Sequence, residues 1–554
     1  MFVCVILGTA LLGVAIFSYQ LGLDNDHHWG IQRILVAVVG LILFADAVFF
    51  QVYPSIAEKA ETLSEKYFKS SHLIPESVER PVRLWSIIGC LATILLAVIS
   101  VVGEGQPLST PHTRYFDQLA DALLQGSFAL LEEPPIELLA LENPYDWKLR
   151  EGLEYIWDAS LYNGQYYLYF GPVPALAGLL IKILLGDIVV TDQALFMFFF
   201  TGFVITFAAL IYWLQRMFFS QTPDWTSAMF IFLGGLCLPV LWLVRARYVY
   251  ETSIIAGQFF LVLGLYAVLR GIESNNGAGA WLMVGGAAWG AAIGARMNLS
   301  PGIGLMMLVV IIFLILHGEK GLGRLPALIF PFILWGFWLG YYNFARFGNP
   351  LEFGHKFQLT GPAYSDDIRE IFSLAYVPPN LFSMFIRPPV ITPGVYPYIS
   401  APFIRQDMWP WIIRPPDHYY YSEPIVGLLL GIPVLGLLLF VSILYTQVNL
   451  ARWLHSDNPE WANRKSEVFF FPILILSAGL TGNIAIIALY VASTMRYLAD
   501  IAPMAIILLA ICVWMEFDRL RNVPFLKKIW LILVFILTLL SVLMSLWLNR
   551  LSFY

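Results

Sequence analysis

Thirteen stretches of about twenty residues run apolar with almost no charge, and a helix needs a run of that length to cross the hydrocarbon core of a bilayer. They fall near residues 3–22, 32–52, 84–103, 193–215, 225–244, 252–269, 276–295, 297–316, 325–345, 424–446, 468–492, 500–515 and 529–549. The chain is 59% hydrophobic and 13% charged, where a soluble domain is about 25% charged. A globular core cannot absorb that much apolar surface, so the pattern predicts an all-α polytopic membrane protein. The net charge of −6 is spread along the chain and implies no nucleic-acid partner. Cys4, Cys90, Cys237 and Cys512 all sit inside apolar runs without metal-ligand spacing, as small buried hydrophobes do. The first run has no basic residue before it and no small-residue cleavage site, so it reads as a retained span.

A fourteenth run, 166–186, has prolines near its aromatic start and Lys182 near its end. Charge decides whether it spans, because each added span inverts everything after it. With residues 53–82 inside and 166–186 lying along the interface, the later inside loops hold eleven basic residues: Arg216, Arg270, Lys320, Arg324, Arg452, Arg464, Lys465, Arg519, Arg521, Lys527 and Lys528. The short outside turns then hold four, Arg245, Arg247, Arg296 and Arg496. The positive-inside bias favours this arrangement, with an inside N-terminus. It divides the chain into a transmembrane hairpin (1–52), a cytoplasmic linker helix (53–82), a transmembrane core (83–516) with outside loops 104–192 and 346–423, and a last transmembrane helix (517–554).

The outside segments mix acids and bases. They carry Arg114, Asp117, Asp146, Arg150, Asp158, Glu251, Arg296, Arg496 and Asp500. The segment "YYNFARFGNPLEFGHKFQLTG" (341–361) adds Arg346, Glu352, His355 and Lys356 at the entry to the second loop. Several arginines suit a phosphate or pyrophosphate headgroup. A carboxylate among them suits removal of a proton from an attacking hydroxyl. Each residue also has a plainer role. Asp146 and Asp158 suit turn capping, Glu251 suits a helix N-terminus, and Arg296 and Arg496 suit snorkelling to the surface. The Pro, Tyr and Trp of 377–423 suit an interfacial belt or a lid over a groove.

The order of parts resembles the GT-C fold of integral-membrane glycosyltransferases, the superfamily of the protein O-mannosyltransferases and of the aminoarabinose transferase acting on lipid A. "TRYFDQLADALLQGSFALL" (113–131) looks like the first juxtamembrane helix of that fold, and "LYNGQYYLYFGPVPALAGLLI" (161–181) like the second. "RARYVYETS" (245–253) matches the turn where relatives carry an acid, here Glu251. "ARMNLSPGIGL" (295–305) matches a basic turn, here Arg296. "STMRYLADIAP" (493–503) matches the Arg-Tyr and proline of a late turn. The similarity covers roughly 83–516, and "YFGP" and "RFGNPLEFG" resemble an uncharacterised bacterial branch. Relatives carry an acidic pair before the first-loop Arg-Tyr, whereas this chain has Pro111-His112-Thr113 before Arg114-Tyr115.

The resemblance implies transfer of a sugar from a polyprenyl-phosphate-linked donor, a membrane lipid, to an acceptor on the outer face of the cytoplasmic membrane, in the cell envelope. Asp158, Glu251 and Asp146 are the expected catalytic carboxylates. Arg114, Arg150, Arg296, Arg346, Glu352, His355 and Arg496 are the expected substrate-binding residues. No metal ligand is assigned and a divalent metal stays open. The missing acidic pair supports an alternative, a non-catalytic structural or assembly subunit that keeps the fold; a second alternative, a lipid-linked saccharide transporter, predicts an inverted repeat, which the sequence does not show by eye. No protein partner is identified.

Overall fold

The computed structural model describes residues 81–102, 113–186, 188–274, 277–361, 371–392, 398–402, 409–410, 413, 415–416, 419, 423–438 and 464–549, with six isolated positions before residue 41. The expected hairpin at 1–52 and linker at 53–82 therefore lie outside the described residues, apart from those positions and the first turn of α1. The described chain is mostly helical. Among the described residues nine helices are long and apolar enough to cross a membrane, and a bent pair is a further candidate.

The first long helix is α1 (Pro81–Val102). The first loop holds α2 (Tyr115–Leu124), strands β1 (Ala159–Tyr162) and β2 (Gln165–Leu168), and α3 (Val173–Leu185). Then come α4 (Asp192–Phe218), α5 (Trp225–Leu236), α6 (Leu238–Ala246), α7 (Val249–Glu273) and α8 (Ala278–Ala295). The series ends with α9 (Ser300–Leu316), α10 (Leu325–Phe347), α11 (Arg464–Leu489), α12 (Ala502–Arg519) and α13 (Pro524–Asn549). Helices α4, α7, α8 and α10 pack side by side in that order, α9 packs on α11, and α1 packs on α5. Helix α12 is the central one: Ile506, Ile507, Leu509, Ala510 and Trp514 are fully or almost fully buried. Helices α10 and α13 instead turn large apolar side chains outward, among them Phe330, Phe337, Phe525 and Ile532, as spans facing lipid do.

Three sequence expectations change. The run 225–244 is not one straight helix: α5 and α6 meet at 50°. Pro239 in the first turn of α6 has no N–H to continue the ladder and its ring crowds the preceding turn, so the helix restarts at Leu238. The stretch 161–181 is not a single helix. Residues 159–168 form an antiparallel hairpin that pairs Tyr162 with Gln165 and Ala159 with Leu168. Its turn is Asn163-Gly164, both at positive φ (49° and 75°), as a two-residue hairpin turn requires. Only α3 is helical there, and its thirteen residues span about 20 Å, short of the roughly 30 Å of hydrocarbon. The run 424–446 does not open as a regular span: after extended backbone come one turn (Leu428–Gly431) and a 3-10 turn (Pro433–Leu435), and residues 439–446 lie outside the described ones.

The α9–α11 contact depends on glycine at both faces. A Cβ on Gly482 would lie 2.6 Å from the Gly302 Cα, inside contact distance of backbone that cannot yield. Gly482→Val should therefore force the helices apart and cost about 1–3 kcal/mol, read as a lower melting temperature of the purified protein. Gly304→Ala, where a Cβ meets nothing within 4 Å, should cause no such loss.

Candidate functional site

The five segments expected on the outside converge at one end of the helix bundle. Two joints anchor the first loop. The Asp192 carboxylate accepts the Tyr115 and Phe116 N–H groups at 3.1 Å each, capping α2 from the start of α4. Thr252 Oγ1, one turn into α7, donates to the Asp192 carbonyl at 3.0 Å. Lys182 on α3 reaches back to Asp117 at 2.8 Å and to Asp121 at 2.5 Å on α2, and its side chain is 2% exposed. Burial pushes the Asp117 carboxyl up, but Lys182, the Val190 N–H and Arg114 together hold it below its ordinary range.

The second loop is stitched onto the first beside β1. Asp158 N–H donates to the Leu359 carbonyl at 3.0 Å, and Leu359 N–H returns to the Ala159 carbonyl at 2.9 Å. Ser160 pairs with Gln358 as an added strand position, and its hydroxyl donates to the Gly354 carbonyl at 2.9 Å. Arg150 donates to the Thr360 carbonyl at 2.5 Å and lies over the Tyr155 ring at 4.7 Å. Arg346, in the last turn of α10, donates to the Leu168 carbonyl at 2.8 Å and to Asn343 Oδ1 at 2.6 Å, and stacks 3.8 Å from the Tyr342 ring centroid. Gly348 at φ 69° ends that helix in a left-handed cap.

This stitching holds Asp158 in an unusual state. Its φ is 59°, a left-handed conformation that aspartate adopts more readily than most non-glycine residues and that the backbone bonds beside it hold in place. The residue is 5% exposed. Thr360 and Trp157 lie close to the carboxyl, yet Oδ1 makes no hydrogen bond of good geometry. Burial pushes this carboxyl above its ordinary range, against Thr360, Arg496, Trp157 and Arg150, which favour the charged form.

Arg496 is the centre of the site. It lies in a short helical turn (Met495–Leu498) that packs on α6. Its Nη1 is 3.7 Å from Glu251 Oε1, its Nε donates to Glu423 Oε2 at 3.1 Å, and its Nη2 pairs with Glu423 Oε1. The guanidinium also covers the Tyr250 ring at 4.2 Å. Glu251 Oε2 accepts the Tyr248 N–H at 3.0 Å, so the same carboxylate caps α7 and faces Arg496. Arg296, just past α8, pairs with Asp500 at 2.7 Å through Nε, while its buried Nη2 has no hydrogen-bond partner. Gln258 and Arg296 both bond the Asp500 carboxylate, at 3.3 Å and 2.9 Å. Tyr169, which follows β2, lies among Tyr497, Arg296 and Asp158, and burial pushes its phenol up to about 12, so it remains a neutral donor.

Of the residues expected from sequence, Asp158, Glu251, Arg296 and Arg496 thus share one electrostatic neighbourhood. His355 lies at its edge, its ring meeting Tyr169 at 5.8 Å. The others are engaged elsewhere. Asp146 caps a turn through the Lys148 N–H at 3.0 Å. Arg114 pairs with Asp117 at 2.5 Å, and Glu352 accepts the Gly354 N–H at 2.8 Å and pairs with Lys356 at 3.2 Å. Arg150 and Arg346 each tie down a backbone carbonyl, Thr360 and Leu168. Glu423, Tyr169 and Tyr250 join the site without having been singled out in the sequence. Among the described residues no three His, Cys, Asp or Glu side chains are grouped to hold a metal ion; between Glu251 and Glu423 sits the Arg496 guanidinium.

Arg346→Met keeps the length and removes the donors that pin β2 to α10. It should cost about 2 kcal/mol for the lost charged hydrogen bonds, seen as a drop in thermal midpoint that Arg346→Lys recovers only in part.

No protein-family model matches the chain, and no curated protein matches it in sequence. Among solved structures the chain is similar to the archaeal oligosaccharyltransferase AglB from Archaeoglobus fulgidus, solved in complex with an inhibitory peptide and a dolichol-phosphate. The identity is 12% and the TM-score 0.41, over 85% of this chain. The match spans just over half, 56%, of that solved chain.

Proposed function

We propose that this protein is a GT-C-type membrane glycosyltransferase that moves a sugar from a polyprenyl-phosphate-linked donor to an acceptor hydroxyl on the extracytoplasmic face of the membrane. One observation carries the reading: a buried carboxylate with an unspent oxygen, Asp158, stands in the same neighbourhood as Arg296 and Arg496. A buried carboxyl raised above its ordinary range and held in a fixed geometry suits a general base.

Asp158 takes the proton of the acceptor hydroxyl. The hydroxyl oxygen forms its bond to the anomeric carbon while the bond from that carbon to the phosphate oxygen breaks. The phosphate leaves with the electron pair, and its charge is met by the free Nη2 of Arg296 and by Arg496. A single in-line displacement inverts the anomeric centre. Tyr169, a neutral phenol beside Arg296, supplies one more donor to the leaving phosphate.

One feature favours a second reading, a non-catalytic subunit that keeps the fold: both arginines already have carboxylate partners. Turnover separates the two. Purified protein with a polyprenyl-phosphate sugar should transfer or hydrolyse it, and Asp158→Asn should lower turnover by about 10²–10⁴-fold, the usual contribution of a general base, with the melting temperature retained. Absence of turnover from every donor tried would sink the transferase reading.

The pH profile gives an independent check. The native state holds the Asp158 proton more tightly than the unfolded chain, because burial raises its folded value. Ionising it therefore costs stability as pH rises out of the ordinary aspartate range, about 3.9. The base works only when ionised, so kcat/KM should rise with pH along a limb displaced above that range, and Asp158→Asn should abolish the limb.

A further inference from the structure

Arg496 is held from two sides by carboxylates of different character. The Glu251 side chain is 3% exposed and fixed by its cap on Tyr248 N–H. Glu423 comes from the end of the second loop, is 24% exposed, and takes the Nε and Nη2 edge of the guanidinium. A carboxylate and a phosphate bind that edge in the same two-pronged way. The charges around it matter as well. Arg150, Arg296 and Arg496 are faced by Glu251, Glu423, Asp158 and Asp500, an excess of one negative charge when all are ionised. A phosphate entering this cluster meets repulsion unless one carboxylate withdraws, and Glu423 is the outermost of those that touch Arg496.

We propose that Glu423 occupies on Arg496 the seat of the donor's phosphate, so that donor binding exchanges one anion for another on the same guanidinium edge. This rests on the reading of Arg496 as a phosphate-holding residue. It adds that the site is filled by an internal mimic of its ligand. Glu423 keeps a largely buried arginine paired between turnovers, and it sets donor affinity by competition. A ligand without an anionic headgroup has no means of displacing it.

The test is binding of a sugar-free polyprenyl monophosphate to the full chain in lipid nanodiscs, followed by tryptophan fluorescence, with inorganic phosphate titrated separately. Glu423→Gln removes the competing charge and should bind the lipid phosphate about tenfold tighter or more. Glu423→Asp retains the charge and should bind like the natural protein. Arg496→Lys should lose most of the affinity, and adding Glu423→Gln to it should not restore wild-type binding. A gain shared by inorganic phosphate identifies the headgroup alone as the ligand; a gain confined to the lipid shows that the tail orients it. Both support the exchange. Unchanged or weaker binding by Glu423→Gln overturns it, as does equal tightening by Glu423→Asp, which would mark a packing effect. Failure of both the natural protein and Glu423→Gln to bind overturns it too. Because the probe carries no sugar, tighter binding without transfer in any assay would uphold the exchange and sink the transferase reading. Transfer with unchanged Glu423→Gln affinity would do the reverse.

Discussion

A largely buried guanidinium at the end of an apolar helix bundle where the loops gather has to be paired, because removing one partner of a buried ion pair costs several kcal/mol. Arg496 meets this demand by drawing in Glu251 from α7 and Glu423 from the second long loop. That pairing joins three parts of the chain that share no local sequence. Arg296 and Asp500 repeat the arrangement one step away, between the end of α8 and the approach to α12. The position of the site within the fold follows from these two pairings.

The loops are held by the same physics with different partners. Lys182 is buried between two carboxylates and locks α3 to α2. Arg150 and Arg346 each donate to a carbonyl, of the opposite loop and of β2 respectively. Arg150 and Arg346 fix backbone that pairs beside Asp158, and the left-handed φ of Asp158 goes with backbone bonds on both sides of it. Placement and conformation at this carboxylate therefore have one cause, the pairing of residues 158–160 with 358–359.

The long spans were legible because uncharged runs of that length have few alternatives in water or lipid. The charge count placed 166–186 off the spanning path, and the thirteen-residue α3 agrees with that. Asp158, Glu251, Arg296 and Arg496 could be singled out because charge beside lipid is costly and so informative. Three things were missed for identifiable reasons. Asn163-Gly164 is a strong hairpin signal, but it lay inside a segment whose aromatics resembled an amphipathic helix. Pro239 signals a break, yet its flanking run is apolar enough to mask it. Glu423 sits in a Pro- and Tyr-rich loop with no periodicity, and only its long-range partner gives it meaning. Lys182 was visible as a charge near the end of an apolar run, while its burial depends on Asp117 and Asp121, some sixty residues earlier.

A structure of the full chain with a polyprenyl monophosphate bound tests the central claim most directly. The account predicts phosphate density within hydrogen-bonding distance of Arg496 and Arg296 Nη2, with Glu423 turned away from Arg496 and Asp158 facing the open side of the headgroup. Phosphate density at other arginines, with the Glu423–Arg496 pair intact, would contradict it.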